Sequence, residues 1–262
     1  MAKPSAEVRR TPRGGEQWAE HRPTSTKPDA TTKELSMGYS EWRCATGAVG
    51  WRAVAEGSEL RVAPDGALDL MWFRERLVVA GPDTRSMLFD TRPGETTWGI
   101  RLDPGVAHAL LGLPVEELTD RRVELAELTH PPRVPGHAFD EDAAGALEQV
   151  LVALWATSDP DRAALRHAAS VDRAARAGLP VAASAELHEM SPRSLQRLCR
   201  RVFGYGPKTL MEIHRFQRAL RLVRGGTSLS TAAAMAGYFD QAHFARECRR
   251  LTGQAPSDLA VA

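Results

Sequence analysis

The chain has 262 residues, 43% of them hydrophobic and 26% charged, which is the composition of a folded protein with room for one large domain or two ordinary ones. No apolar run approaches the roughly 20 residues that span a bilayer, and the N-terminus lacks the apolar stretch of a secretory signal. Three scattered cysteines, Cys44, Cys199 and Cys248, favour a reducing compartment over a disulfide framework. We therefore expect a cytoplasmic protein without a membrane partner.

The net charge of +1 conceals an uneven distribution of charge along the chain. Residues 37–160 contain 11 Lys and Arg against 20 Asp and Glu, a net charge of −9. Residues 161–262 contain 16 Lys and Arg against 8 Asp and Glu, a net charge of +8. An acidic front half and a basic back half indicate two modules with different partners, and the basic half is the one suited to a polyanion.

Composition and helix-breaking residues divide the chain into three segments. Residues 1–36 are rich in Pro, Thr, Lys, Glu and Gly, which predicts a disordered tail. The polar stretch "SDPDR" at 158–162 then separates a mixed domain at 37–158 from a helical domain at 159–262. For the mixed domain the prediction is a sensor or regulatory role.

The mixed domain combines strand and helix patterns, so the predicted fold class is α+β. Alternating apolar residues predict strands at 64–72, 76–84 and 96–102. Residues 104–128 have helical spacing, and 142–157 form an amphipathic helix. The side chains that this last helix places on its apolar face are Leu147, Val150, Leu151 and Leu154.

The helical domain contains an internal repeat with an offset of 49 residues. Residues 199–210 and 248–259 both read C-R-R-x-x-G-x-x-P-x-x-L, and Ser191 and Asp240 stand at equivalent helix N-cap positions. Short helices at 181–188 and 229–236 precede the two basic helices, and a long linker helix at 207–226 joins the copies. A pair of helices joined by a tight turn is a helix-turn-helix, so the repeat predicts two of them.

Each basic helix has an apolar face and a basic face. The inward positions are Leu195, Leu198, Cys199 and Val202 in the first copy and Phe244, Cys248 and Leu251 in the second. We expect both cysteines to fill the core. The outward positions are Arg193, Gln196, Arg197 and Arg200 in the first copy and Gln241, Ala242, Ala245, Arg246 and Arg249 in the second.

Such helices have the chemistry needed to read double-stranded DNA. An α-helix fits the major groove, where Arg bridges guanine and Gln bridges adenine. Two helices about 34 Å apart, one DNA turn, would read successive segments, and the linker helix would fix that distance. The linker's exposed face is expected to carry Arg215, Arg218 and Arg221. Phosphate contacts are expected from Arg200, Arg201, Arg249 and Arg250.

A basic face opposite an apolar stripe is also typical of an ordinary solvated helix. DNA binding is favoured because the N-cap, the apolar face, the terminal glycine and the basic face all recur after 49 residues. An ordinary solvated helix does not require such a repeat. A second class of function stays open: a ligand-binding or partner-binding protein whose basic half binds RNA or an acidic protein. Sequence-selective, salt-dependent binding to duplex DNA separates the two classes.

The stretches "MSPRSLQRLCRRVFGYGP" and "AGYFDQAHFARECRRLTGQAP" resemble the AraC/XylS-type bacterial transcription regulators. The resemblance implies two helix-turn-helix subdomains, promoter DNA and RNA polymerase as partners, and a transcription regulator with a possible homodimer and small-molecule effector. Activation is the expected mode of regulation, with repression left open. His188-Glu189 stands where a Leu-Gly turn is usual, which predicts a strained first turn. By matching, the base-reading residues are Arg193, Gln196, Arg197, Gln241, Ala242 and Arg246, and Lys208 joins the phosphate contacts.

The front half also resembles a known domain. The stretches "PDGALDLMW" and "LVVAGPDTR", with the sequence that follows to residue 128, resemble the N-terminal domain fused to this DNA-binding module in many actinobacterial-type regulators. Trp72, Trp98 and Trp155 either line a pocket or, as is commoner for tryptophans, pack in the core.

No catalytic arrangement is recognisable in the front half, and the prediction is a protein that is not an enzyme and has no cofactor. Three histidines, with two acids close to the last of them, are candidate metal ligands, but their spacing fits no metal site. DNA-repair methyltransferases with the same helical module need a cysteine cluster, whereas Cys44 is the front half's one cysteine. The metal candidates weighed and set aside are His108, His130, His137, Asp140 and Glu141.

Overall fold

The computed structural model describes residues 37–259. Within this range, the first half of the chain contains eight antiparallel strands. The predicted tail at 1–36 lies outside the described residues. Six strands form one sheet in the order β1-β2-β7-β4-β5-β8, and β3 pairs with β6 in a second small sheet. The strands are β1 Met37–Arg43, β2 Val49–Ala55, β3 Glu59–Val62, β4 Leu68–Phe73, β5 Arg76–Ala80, β6 Met87–Asp90, β7 Thr96–Leu102 and β8 Arg122–Glu124.

The three predicted strands correspond to β4, β5 and β7, which confirms an antiparallel sheet in an α+β fold. One part of the prediction was wrong. Residues 104–128 are not helical throughout, because β8 pairs with β5 along the sheet edge, with Val123 opposite Val79. A three-residue strand has too few positions to show alternation, and its partner lies more than 40 residues earlier in the sequence.

The helices of the first half cover the sheet, and those of the second half form two units around a central linker helix. A single 3-10 turn at Val115–Leu118 precedes β8. The helices are α1 Val106–Leu111, α2 Leu125–Leu128, α3 Gly136–Thr157, α4 Arg162–Arg176, α5 Val181–Leu187, α6 Pro192–Phe203, α7 Pro207–Arg224, α8 Leu229–Ala236 and α9 Gln241–Thr252.

Helix α3 begins six residues before the predicted start at 142. The backbone at Asp142 is not helical (φ −150°, ψ 81°), and its carboxylate accepts a hydrogen bond of 3.0 Å from the Gly145 N–H. Asp142 therefore caps the longer part of the helix, which is the part that its apolar spacing predicted. As predicted, its buried side chains include Leu147, Val150, Leu151 and Leu154, and α3 packs on β4 and β7.

The repeat is confirmed as two structurally equivalent helix pairs, α5–α6 and α8–α9. The Ser191 hydroxyl accepts from the Ser194 N–H at 3.1 Å, and the Asp240 carboxylate accepts from the His243 N–H at 2.6 Å. Gly204 and Gly253 end the two basic helices with positive φ angles of 84° and 75°, a conformation that glycine adopts without strain.

Helix α7 supplies the core of both units. Leu210 and Ile213 from its first half pack in the core of the α4–α5–α6 unit. Phe216 and Leu220 from its second half pack in the core of the α8–α9 unit. One continuous helix thus sets the relative position of the two units, because neither core is complete without it.

Cys199 and Cys248 are fully buried in the two cores, as predicted. Desolvation by burial raises the pKa of the Cys199 thiol to about 12 and that of Cys248 to about 11. Both thiols therefore stay protonated at neutral pH and fill space without acting as nucleophiles.

The turn between α5 and α6 is strained, as the His188-Glu189 pair predicted. Glu189 has a φ of 53°, in the left-handed region that costs a non-glycine residue about 1 kcal/mol. The His188 ring compensates in part, because its two nitrogens lie 2.7 Å from the Ser184 carbonyl and 3.1 Å from the Ser170 hydroxyl. The second unit places Gly237 (φ 89°) at the end of α8 instead.

We expect Glu189→Gly to raise the free energy of unfolding by about 0.5–1 kcal/mol, because glycine relieves the left-handed strain. Urea denaturation with an unchanged m value measures the effect. Glu186→Gly is the matched control: Glu186 lies inside α5, where glycine should destabilise by about 1 kcal/mol. Equal destabilisation by both variants would contradict the strain at Glu189.

Candidate nucleic-acid interface

The basic face of α6 is exposed, as its spacing predicted. Arg193, Arg197, Arg200 and Arg201 are solvent-exposed, whereas Leu195, Cys199 and Val202 on the opposite face are buried. Arginines in a row along one helix provide donors for phosphate oxygens and for guanine edges. The geometry thus leaves this face accessible to a polyanion in the described structure.

Gln196 lies differently from the other predicted base-reading residues. It is half-buried, and its amide packs against Gly206, where an added Cβ would come within 2.5 Å of Gln196 Nε2. The side chain therefore folds toward the start of α7 and must leave Gly206 before it can contact a base. Its reading role stays a prediction.

The basic face of α9 repeats the arrangement of α6. Gln241, Ala242 and Arg246 are exposed, and so are Arg249 and Arg250 in the last turn. Within the described residues, no carboxylate pairs with Arg246 or Arg249. Both guanidinium groups are available for a ligand that approaches this face.

A buried ionic cluster fixes α9 on the linker helix. Glu247 is 7% exposed and forms a bidentate ion pair with Arg215 of α7. The Tyr238 hydroxyl donates to the same carboxylate at 2.7 Å, and the Arg215 guanidinium lies over the Tyr238 ring, 4.6 Å from its centre. Burial raises the pKa of the Tyr238 hydroxyl above its usual value, and the hydrogen bond to Glu247 raises it further.

The expectation that Arg215 lies on the exposed face of the linker was wrong. Its guanidinium is bound to Glu247 instead, 32 residues later in the chain. Helical spacing alone placed Arg215 beside Arg218 and Arg221, and it has no means of identifying a carboxylate from another helix. Arg215 is therefore part of the scaffold rather than of the interface.

A second buried carboxylate ties α4 to the linker in the first unit. Asp172 accepts hydrogen bonds from His214 Nε2 at 2.8 Å and from Arg176 Nε at 2.6 Å. Burial acts to raise the pKa of Asp172, but the hydrogen bonds from His214 and Arg176 outweigh it and hold the pKa below its usual value. The carboxylate thus stays ionised and paired at neutral pH.

This pairing predicts acid sensitivity. The pKa of Asp172 is lower in the folded chain than in the unfolded chain, so the stabilisation is present above about pH 4 and is lost as the pH falls through the folded value. We expect Asp172→Asn to lower the free energy of unfolding at pH 7 by about 1–3 kcal/mol and to flatten its decline on acidification. Denaturant titrations from pH 7 to pH 2 measure both, with the exposed Asp159→Asn as control. An identical acid profile in both variants would contradict the assignment.

Two of the predicted phosphate contacts share one carboxylate. Arg250 Nη2 donates to Glu212 Oε2 at 2.9 Å, and Lys208 Nζ lies 3.9 Å from Glu212 Oε1. Glu212 of α7 therefore lies among the cations of the candidate interface and reduces its positive potential. Sequence analysis missed this residue, although the i,i+4 spacing from Lys208 to Glu212 was visible.

We expect Glu212→Gln to strengthen binding to duplex DNA, because it releases Lys208 and Arg250 from an exposed ion pair that contributes at most about 1 kcal/mol. The affinity should rise about two- to fivefold at moderate salt, with a steeper salt dependence. Fluorescence anisotropy at several salt concentrations measures both. Glu127→Gln in α2 makes the same change of charge outside the interface and should have little effect. A gain in affinity of equal size in that control would show that the effect of Glu212→Gln comes from the change in net charge alone.

Sequence analysis also passed over an aromatic side chain beside α9. Phe239 is 93% exposed, next to the N-cap residue Asp240, and Met235 of α8 is exposed as well. Exposed apolar side chains of this size mark contact surfaces more often when they cluster. Phe239, which directly precedes the cap of α9, is therefore a further candidate for a contact surface.

The cavity found within the sheet's core is small. The cavity beneath the sheet, lined by Leu70, Leu110 and Leu151 among others, measures about 10 Å³. The three tryptophans pack against the apolar core, and Trp72 stacks on Phe139 with ring centres 3.9 Å apart. The core alternative for the tryptophans is therefore the correct one.

A larger cleft of about 470 Å³ lies outside the sheet, between α1, α4 and α6. Its lining combines His108, His167 and Arg201 with Asp159 and Asp161. Among residues 37–259, no three His, Cys, Asp or Glu side chains meet in a way that holds a metal ion. No helix in the same range is long and apolar enough to cross a membrane.

Comparison with known families identifies two regions of the chain. Residues 184–260 match a family described as a helix-turn-helix domain, and residues 44–124 match a domain of unknown function, DUF6597. The C-terminal region is thus a helix-turn-helix domain of the AraC type, as the sequence resemblance indicated. A search of the curated proteins found no match to the sequence.

Several solved structures are similar to parts of this chain. The xylose-binding transcription activator xylR is 14% identical over 46% of this chain and 39% of its own, with a TM-score of 0.33. ToxT from Vibrio cholerae is 10% identical over 87% of this chain and 98% of its own, with a TM-score of 0.45. An unsaturated fatty acid-bound form of ToxT gives a TM-score of 0.43 at 10% identity, over 89% of this chain and 97% of its own. The chain covers less than half the length of xylR.

Proposed function

We propose that the chain is a sequence-specific DNA-binding transcription regulator, in which α6 and α9 read successive major-groove segments of promoter DNA. One observation carries the proposal. The two helices are structurally equivalent, each has an N-cap and a C-terminal glycine at the same positions, and each exposes an arginine at the same place, Arg197 and Arg246. A solvated surface does not require this repetition, whereas two equivalent DNA segments do.

The roles proposed for the side chains follow from their positions. Arg193, Arg197, Gln241, Ala242 and Arg246 lie in the first two turns of their helices, where a recognition helix contacts base edges. The phosphate contacts lie in the last turns and at the start of α7, where they flank the groove. They are Arg200, Arg201, Lys208, Arg249 and Arg250.

For residues 37–158 we propose a regulatory role, with a homodimer partner, RNA polymerase and a small-molecule effector as its proposed contacts. The sheet interior is not the proposed effector site, because a cavity of about 10 Å³ is far below the roughly 300 Å³ of a small ligand pocket. The cleft beside α6 is large enough, but its mixture of acidic and basic side chains selects no single class of ligand. The effector is therefore not assigned to residues.

The decisive experiment selects operators from a pool of randomised duplex DNA with the purified protein. On the selected operator, Arg246→Ala should cost about 1–3 kcal/mol and relax base preference at one position. Arg250→Ala should weaken binding on all sequences and reduce the salt slope by about 1. Arg92→Ala removes the same charge from residues 37–158, which we call the sheet half, and should change neither the base preference nor the salt slope.

Two results would count against the proposal. Failure to enrich any DNA sequence would favour the alternative class, in which the basic half binds RNA or an acidic protein. Equal losses for Arg246→Ala and Arg250→Ala on every operator would contradict the division into base-reading and phosphate-contacting residues.

A further inference from the structure

The sheet half contacts both reading helices, α6 and α9, at their C-terminal ends. The Thr119 hydroxyl donates to the Gly204 carbonyl at the end of α6, at 2.8 Å. The Ser86 N–H donates to the Leu251 carbonyl of α9 at 2.6 Å, and Arg61 Nη1 donates to the Thr252 carbonyl at 3.3 Å. The last carbonyls of a helix have no partner within the helix, so the sheet half supplies partners at the same end of both reading helices.

The contacts from Thr119 and Ser86 come from one tightly connected part of the sheet half. The Asp120 carboxylate accepts from the Thr84 N–H at 2.7 Å and from the Thr84 hydroxyl at 2.6 Å. The Asp120 N–H donates to the Pro82 carbonyl at 3.2 Å. We call residues 81–86 together with 118–122 the bracket, because these bonds join the two segments into one piece.

Packing and charge stiffen the bracket further. Any side chain at Gly81 would collide with the Leu118 carbonyl, so the two segments touch backbone to backbone. Asp83 and Arg122 form a buried ion pair with N–O distances of 2.6 and 2.8 Å. A loop held in this way has little freedom to follow the movement of the helices that it contacts.

The end of α6 fits into the bracket without space for a larger residue. A Cβ at Gly204 would lie 2.6 Å from both Pro82 Cγ and Thr119 Oγ1. Ser86 of the same bracket contacts α9. The bracket is thus a second connection between the reading helices, independent of the linker helix α7.

We infer that the bracket, in addition to α7, constrains the distance and rotation between α6 and α9, so that Thr119 and Ser86, with Arg61 beside them, are positioning residues for the spacing of the DNA segments. This inference rests on the proposed function. Docking at the bracket leaves Arg193, Arg197, Gln241 and Arg246 exposed. The bracket therefore holds the reading helices without covering the faces that would contact DNA.

The first test measures the geometry without DNA. Spin labels are attached to Arg200→Cys and Arg249→Cys, which occupy equivalent positions of α6 and α9. Pulsed electron paramagnetic resonance then measures the distance between the two labels. The distance distribution should be narrow in the otherwise unchanged chain and should broaden in Thr119→Val and in the double variant Thr119→Val, Arg61→Met. Thr91→Val is the matched control, because it removes a hydroxyl-to-carbonyl bond of 2.7 Å to Gly57 within the sheet half. An unchanged distribution in the double variant overturns the inference.

The second test measures spacing on DNA. Each inserted base pair moves one segment by about 3.4 Å along the duplex and rotates it by roughly a tenth of a turn. The unaltered protein should prefer the selected spacing over insertions or deletions of one base pair by about tenfold, on the order of one mismatched contact. The bracket variants should lose most of this preference while keeping their affinity for a single segment.

The outcomes of the two tests are distinguishable. A full spacing preference in the double variant overturns the inference while the proposed function stands. If the unaltered protein shows no sequence preference, the proposed function fails, and the label distances still decide whether the bracket positions the helices. Equal loss of single-segment affinity in bracket variants and in Thr91→Val would indicate general damage to the fold and would also count against positioning.

Discussion

The architecture of the helical half depends on two adjacent basic side chains in the middle of α7. His214 pairs with Asp172 of the first unit, and Arg215 pairs with Glu247 of the second. Both carboxylates are buried, and a buried charge that loses its partner costs several kcal/mol. The second unit can therefore leave the linker only at a large cost, and the first would lose the buried hydrogen bond between His214 and Asp172, so the two units and α7 form one scaffold.

The same helix also meets the sheet half. Gln217 Nε2 donates to the Pro64 carbonyl at 2.8 Å, and Gly66 approaches the His214 ring so closely that a Cβ there would lie 3.2 Å from it. Together with the contacts at Thr119 and Ser86, these place backbone of the sheet half against the linker and both reading helices. A displacement at these particular contacts would therefore act directly on the linker and on α6 and α9.

The parts of the structure that could be predicted from sequence are those specified locally or by repetition. Positions within one helix predict the caps at Ser191 and Asp240, the terminal glycines and the exposed arginines. The repeat at an offset of 49 residues supports each of these features, because each occurs in both copies. The pairing of β8, the ion pair of Arg215 with Glu247 and the position of Glu212 depend on partners from other elements. Periodicity along one segment contains no information about such partners, so these features required the structure.

The repeat sharpens the assignment of the first reading helix. Gln196 is equivalent to Ala245 in α9, and both are half-buried. Arg193 and Arg197 are equivalent to Ala242 and Arg246, and all four are exposed. Because equivalent positions face the same way in both units, a residue at the position of Gln196 lies at the edge of the reading face. Under the proposed function, we therefore expect base selection by α6 to depend chiefly on its two arginines, which favours guanine at the bases they contact.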